Sequence, residues 1–336
     1  MVEVSFIIPV YNVELYIQRC VESVLALGLS EREMEIICVD DHSQDGSVEV
    51  VKQLSEKYSC IHLIQHQVNK RQGGARNTGI INARGKFCVL LDADDTLPVY
   101  NIKELLNHME DAGLDMLLGK ADVVRLNKTS VWGNPLESET KVMKGIDFFK
   151  DYLVHTLAFG VVWLGIYRTS FVQAIPPFRE NVQMEDTDWC YQALYAAQRV
   201  QYRPITIYKY QENTFSTTHQ RKIQQVLEVF QQVYIINQLG VINREKSEWG
   251  YKCTSEYTWW RLRCLQGLWQ YSHADRKQFF QSFSREQADQ LCKAPLEFIP
   301  RTILKRPKLS QISLDMISPI LRTARSLRNK YQSKNI

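Results

Sequence analysis

The chain of 336 residues carries 41 Lys and Arg against 37 Asp and Glu, a formal net charge of +4, and 45% of its residues are apolar. That length and apolar share support a real core in one large domain or two and exclude a disordered chain. So small a charge excess excludes a strongly basic nucleic-acid binder, and no apolar run is long enough to span a bilayer.

The eight cysteines, Cys20, Cys38, Cys60, Cys88, Cys190, Cys253, Cys264 and Cys292, form no C-x-x-C pair, and several lie in apolar runs. They read as reduced and mostly buried, with no zinc site or disulfide framework, which favours a cytoplasmic setting. The chain enters a strand directly after Met1-Val2-Glu3, without a basic n-region or cleavage signal.

Val4 to Val10 is a nearly continuous apolar run stopped by Pro9 and Tyr11-Asn12, and a helical pattern follows through Leu15, Cys20, Val24 and Leu27. Met34 to Val39 is a second such run, ending in Asp40-Asp41. Gln44-Asp45-Gly46-Ser47 makes a turn and a helix N-cap ahead of Val48, Val51, Leu54 and Tyr58 at helical spacing. Ile61 to Gln65 reads as a third strand, Gly73-Gly74 opens a helix to Ala83, and Phe87 to Leu91 is the fourth strand. Apolar strands alternating with helices predict a mainly parallel α/β sheet covered on both faces.

The fourth run ends in Asp92-Ala93-Asp94-Asp95. As a strand continuation it places Asp92 and Asp94 on one side, where two like charges call for a cation. An isolated D-x-D is more often a solvated turn, and the motif alone does not choose. Open α/β sheets bind ligands beyond the carboxyl ends of their strands. Three such ends carry polar groups here, at Pro9 to Asn12, Asp40-Asp41 and Asp92 to Asp95, and their joint placement favours a metal and phosphate site over a turn.

Further on, Leu105 to Met109 continues a helix and Asp115 to Leu126 predicts a strand pair. Asn127 to Lys141 reads as a loop by composition. Phe159 to Phe171 is aromatic-rich, and Phe178 to Trp189 holds another acidic cluster. From Lys222 to Gln290 the pattern is helical, with Trp249, Trp259, Trp260 and Trp269 read as core. The basic segment 301–336 has one acid, Asp315, and an apolar stripe through Ile317, Ile320, Leu321, Ala324, Leu327 and Tyr331. It is either an amphipathic helix on an anionic membrane or a solvated or docked tail, the latter favoured because Arg328 interrupts the stripe.

FIIPVYN at 6–12, VDDHSQDGS at 39–47, NKRQGGARNTGI at 69–80, GKFCVLLDADD at 85–95 and MEDTDW at 184–189 together resemble family 2 glycosyltransferases, in the family's order and spacing. The resemblance covers about two thirds of the chain and implies the GT-A fold of nucleotide-diphospho-sugar transferases. It implies a transferase domain at 1–220 (donor half 1–126, acceptor half 127–220), after which the helical pattern and the basic composition mark an extension at 221–295 and a tail at 296–336. It also implies a nucleotide-diphospho-sugar donor and inverting transfer to a hydroxyl of a saccharide or lipid-linked acceptor. The setting it suggests is polysaccharide or glycolipid synthesis at the inner face of the plasma membrane.

By position, the resemblance puts Pro9, Tyr11 and Glu14 around the base and ribose, Asp41 on the base, and Asp92 near the ribose and metal. Asp94 becomes the ligand of Mg²⁺ or Mn²⁺, and Glu185-Asp186 the acidic pair whose second member is the general base. Asp95 supports the metal or is structural, as Asp40 and Asp45 are. Arg71 and Arg76 are each candidates for the diphosphate or for structural ion pairs. Arg71 stands where members often carry Gly. Trp163, in place of a common W-N-K, reads as an acceptor platform or partly core, the second favoured. Asp188 rivals Asp186, and Ser216 and His219 lie where members close a loop over the diphosphate. Two alternatives stand beside this reading. One is a non-catalytic nucleotide-binding module. The other is a sugar-nucleotide pyrophosphorylase, disfavoured because no glycine- and lysine-rich loop follows the first strand.

Overall fold

Val4–Val10 (β1) is buried along its whole length, Ser5 included. Alternate side chains serve opposite faces of the sheet. Phe6, Ile8 and Val10 join the core with Ile17, Cys20, Val21 and Val24 of helix α1 (Ile17–Leu25), while Ile7 packs at Gly79, where a Cβ would run into it. The computed structural model describes residues 2–125, 128–132, 135–153, 161–182, 185–212 and 272–281.

The predicted alternation is present: β2 (Met34–Asp40), α2 (Ser47–Lys57), β3 (Ile61–Gln65), α3 (Arg71–Asn82) and β4 (Phe87–Leu90). Strands β3, β2, β1 and β4 are neighbours in that order and all parallel. Chain order reverses direction at β1, with β2 on one side and β4 on the other. This is the switch point beyond which an open α/β sheet leaves a crevice.

Helix α4 (Ile102–Asp111) leads into β5 (Met116–Arg125), which is one long strand rather than the expected pair. Its partners come from elsewhere: β6 (Lys128–Val131) and β7 (Gly165–Arg168) antiparallel, β8 (Val200–Gln211) parallel. Antiparallel β7 then joins β5 to β4 and completes an eight-stranded sheet. Strand β6 falls in a segment read as loop; it is an exposed edge, so its polar composition gave no strand signal. Short helices α5 (Gly145–Phe148) and α6 (Thr169–Ala174) precede α7 (Glu185–Ala196).

Contacts divide the chain into units Met1–Ser216 and Thr217–Ile336. The described part of the second is helix α8 (His273–Gln281), where Ser272 and Asp275 exchange side-chain and amide hydrogen bonds as a capping box. Ser216, His219, the four tryptophans expected as core and the basic tail lie outside the described residues. No described helix is long and apolar enough to cross a membrane. The described cysteines, Cys20, Cys38, Cys60, Cys88 and Cys190, are free and buried.

Candidate active site

After β1 the chain turns at Asn12 with φ +52°, after β2 at His42 with φ +70°, and α3 opens on Arg71 with φ +61°. Side chains rarely adopt this left-handed region, and it persists only where surroundings enforce it. The enforcement is visible at the first two loops. Asn12 Oδ1 accepts from the Gln44 amide (2.8 Å), Ser43 Oγ accepts from the Asn12 amide (3.1 Å), and Ser47 Oγ accepts from the Val13 amide (2.8 Å). At Arg71 a Gly would carry no such strain, so Arg71 holds this conformation at a cost.

Glu14 lies against Gly46, whose amide donates to Glu14 Oε2 at 3.0 Å; a Cβ on Gly46 would collide with this carboxylate. The expected cap at 44–47 differs in detail. Gly46 occupies the cap position of α2, and Asp45 instead accepts from the amides of Ser47 (3.0 Å) and Glu14 (3.0 Å). Burial pushes the Asp45 carboxyl up, but these bonds and the Ser47 hydroxyl outweigh it and hold the group below its ordinary value. Pro9 is buried within β1, while Tyr11 is 50% exposed.

Asp41, at the end of β2, is buried. Its Oδ1 accepts from the Lys70 amide (2.8 Å) and pairs with His66 Nδ1 (2.8 Å), and His66 Nε2 pairs with Thr78 Oγ1 (2.8 Å). Oδ2 is equally buried and has no hydrogen-bond partner among the described residues. A buried acceptor left in this state costs about 1–3 kcal/mol, a cost that a ligand N–H would remove.

β4 stops at Leu90, so strand alternation does not place Asp92 and Asp94 as expected. The carboxylates lie on a turn closed by the Asp95 amide donating to Asp92 O at 3.0 Å. Asp92 Oδ1 accepts from Arg76 Nη2 (2.7 Å) and Gln72 Nε2 (2.7 Å). Asp94 is half-buried, and its carbonyl accepts from Arg19 Nη2 (2.9 Å). Asp95 is fully buried, accepting from the Tyr208 hydroxyl (2.6 Å) and the Gln211 amide (2.6 Å). Burial, then Asp94 and Asp92, push its carboxyl up to about 8 against these two bonds. Asp95 is thus the anchor of the turn to β8.

Two readings left open in the sequence are narrowed here. Arg76, proposed for the diphosphate, is 1% exposed and lies inside the protein between Asp92 and Glu185, whose Oε1 is 2.5 Å from Nη1. Burial pulls the guanidinium down, and Asp92, Glu185 and Asp186 overcome this and hold its pKa above the ordinary value. Trp163 is 4% exposed and stacks on Tyr208 at 4.4 Å; it belongs to the core and offers no face to an acceptor. The alternative reading of each, an ion pair and a core ring, is the observed one.

Glu185 and Asp186 open α7, Glu185 buried and Asp186 half-buried. Asp188 lies in the same helix, its side chain outside the described residues. Among those residues no three His, Cys, Asp or Glu side chains are grouped to hold an ion by themselves. The oxygen donors at 92–95 suit a hard divalent cation only if a bound diphosphate supplies further ligands. Tyr208 and Gln72 were missed in the sequence: Gln72 stands in the 69–80 motif but was given no role there, and Tyr208 stands in no motif, 113 positions from its partner Asp95.

Residues 5–172 match the model of glycosyl transferase family 2. The chain belongs to this family. Similar proteins include the uncharacterized glycosyltransferase YibD of Escherichia coli, 31% identical over 212 residues (62% of this chain and 61% of that one). Another is EpsJ of Bacillus subtilis, an uncharacterized glycosyltransferase 31% identical over 220 residues (64% and 62%). The chain thus spans about three fifths of the length of these relatives. The crystal structure of S. aureus TarS 1–349 with UDP-GlcNAc matches with a TM-score of 0.67 at 18% identity, over 96% of this chain and 92% of that one. The mannosyltransferase PcManGT of Pyrobaculum calidifontis, in complex with GDP-Man and Mn²⁺, matches with a TM-score of 0.55 at 16% identity, over 94% and 86%. These likenesses show the GT-A fold.

Proposed function

We infer that the protein is an inverting glycosyltransferase that moves a sugar from a nucleotide-diphospho-sugar to an acceptor hydroxyl with the help of a divalent cation. The observation that carries this reading is the buried Asp41 Oδ2, which has no hydrogen-bond partner among the described residues. It sits at a strand end beside the switch point, where a nucleobase N–H supplies the missing donor. Tyr11, exposed at the end of β1, and Glu14, held on Gly46, complete that side of the pocket.

Asp94, with Asp92 beside it, would hold Mg²⁺ or Mn²⁺. When bound, the cation neutralises charge gathering on the departing nucleoside diphosphate. Asp186 takes the proton of the acceptor hydroxyl as it attacks, since a hydroxyl is a poor nucleophile at neutral pH. One base and one displacement invert the configuration, and no second carboxylate is needed to protonate the leaving group. Asp95 keeps the acidic turn on β8 through Tyr208. A polymeric, hydroxyl-bearing acceptor is supported by a Bacillus spizizenii relative named poly(ribitol-phosphate) beta-glucosyltransferase, 34% identical over 119 residues, which are 35% of this chain and 19% of that one. Contact of 301–336 with an anionic membrane would bring such an acceptor near, and vesicle co-sedimentation with and without that segment tests it.

The test is nucleotide release and product mass with UDP-, GDP-, dTDP- and CDP-sugars, with Mn²⁺ and with EDTA, offered cell-envelope saccharides as acceptors. Cation-dependent transfer from one nucleotide class is expected, lost in Asp186→Asn. Absence of both nucleotide binding and release under every condition would overturn the reading.

A further inference from the structure

Helix α3 reaches the start of α7 with a buried face. Asn77 clamps the backbone of Phe178, accepting from its amide (2.8 Å) and donating to its carbonyl (2.8 Å). Phe178 in turn stacks on Trp189 of α7 at 4.4 Å. Gly73 has no Cβ because the Arg179 carbonyl occupies that space. These contacts seat α7 without using charge. Arg76 adds a different link. Its Nη2 holds Asp92 and its Nη1 holds Glu185, so one guanidinium spans the acidic turn after β4 and the first residue of α7, 109 positions from Arg76. The Arg76 fork is itself held over the Phe178 ring, 5.5 Å from its centroid.

We propose that Arg76 is a positioning residue that couples the acidic turn at Asp92 to the helix carrying Asp186. Two carboxylates share one cation, so what one gives up the other gains. Neutralising or recruiting the Asp92 charge leaves the guanidinium to Glu185 and tightens the start of α7. Under the function proposed above, on which this last step rests, a cation and diphosphate arriving at 92–95 would draw on Asp92 and so firm the helix that presents the base. The donor would then be read by the acceptor side before transfer. Lysine cannot replace this device, because an ammonium is a point charge without the planar fork that meets two carboxylates at once.

The experiment is hydrogen exchange on the full chain, comparing peptides from 185–196 with control peptides from 17–25, in wild type, Arg76→Lys and Asp92→Asn. Asn at 92 keeps the Oδ1 acceptor that meets Arg76 and Gln72, removes the charge and exchanges Oδ2 for an NH₂ group. Without any nucleotide, Arg76→Lys is expected to speed exchange of 185–196 by about tenfold or more. Asp92→Asn is expected to slow it by about threefold, with 17–25 unchanged in both. Exchange of 185–196 within twofold of wild type in Asp92→Asn would overturn the coupling. So would an equal acceleration of both regions in Arg76→Lys, which marks a packing role alone. Adding UDP, GDP, dTDP or CDP with MnCl₂ to wild type is expected to slow 185–196 as Asp92→Asn does, and this effect should vanish in Arg76→Lys. If none of the four binds while the nucleotide-free pattern holds, the proposed function falls and the coupling stands. In turnover, Arg76→Lys is expected to lower kcat about 100-fold with donor KM within about threefold; a loss confined to donor KM would instead make Arg76 a donor-binding residue.

Discussion

The Tyr208 hydroxyl donates to Asp95 Oδ2 at 2.6 Å and accepts from the Asp92 amide at 3.3 Å. A single phenol on β8 therefore holds both ends of the acidic turn, and Trp163 stacked on its ring fixes where that phenol can go. Tyr208→Phe keeps the stack and removes the oxygen. The expected loss is about 1–3 kcal/mol of unfolding free energy, because Asp95 is left buried with the Gln211 amide alone. Urea unfolding measures it, and an unchanged midpoint would show that the turn does not depend on this bond.

Asp94→Ala should abolish stabilisation by nucleotide that depends on Mn²⁺. At a ligand concentration 100 times Kd, wild type gains about 2.7 kcal/mol. Thermal unfolding with and without the cation reads the difference. A variant that keeps the full shift would move the ion to other oxygens.

For Asp186→Asn the expected result is a fall in kcat of about 10²–10⁴-fold, the usual worth of a general base, with nucleotide affinity retained. Isothermal titration and a transfer assay on the same preparation separate the two. If turnover persists, the base lies elsewhere, and Asp188 is the next residue to replace.

Acid stability should report on Glu35, far from the acidic turn. Buried in β2, it accepts from Ser5 Oγ (2.6 Å) and from the backbone amide (2.6 Å) and Nε (2.9 Å) of Arg84. Burial alone would raise its carboxyl, but these bonds outweigh it and hold the group below its ordinary value of 4.5. A folded-state value below the unfolded one means the stabilisation is complete above the unfolded pKa and fades as pH falls through the folded one. Wild type should thus lose urea resistance progressively below about pH 4.5, and Glu35→Gln, less stable at neutral pH, should show a shallower acid loss. Equal acid slopes would assign the loss to other groups.

The parallel half of the sheet was legible because β1, β2 and β4 are nearly continuous apolar runs, the signature of burial on both faces, and β3 follows them in the same alternation. The strands after β4 were harder to read. β6 is a polar edge, and β8 pairs in parallel with β5 across a register shift and carries Pro204. The acidic residues were found by type and place. Their partners were not, since Arg76 meets Glu185 and Tyr208 meets Asp95 only once the sheet is closed. Gly73 and Gly79 did carry a readable signal: small residues on one side of α3 mark close approach, hence a buried face, and Arg76 sits among them.

The buried cysteines have a practical consequence. Burial pushes the Cys38 and Cys88 thiols up to about 12, and Cys20, whose Sγ lies 3.6 Å from the Asp92 carbonyl, is raised as well. Alkylating reagents attack the thiolate, so these positions stay silent while the sheet is closed. Their labelling rate therefore times the opening of the sheet itself, with Cys20 recording how often the layer beneath the acidic turn comes apart.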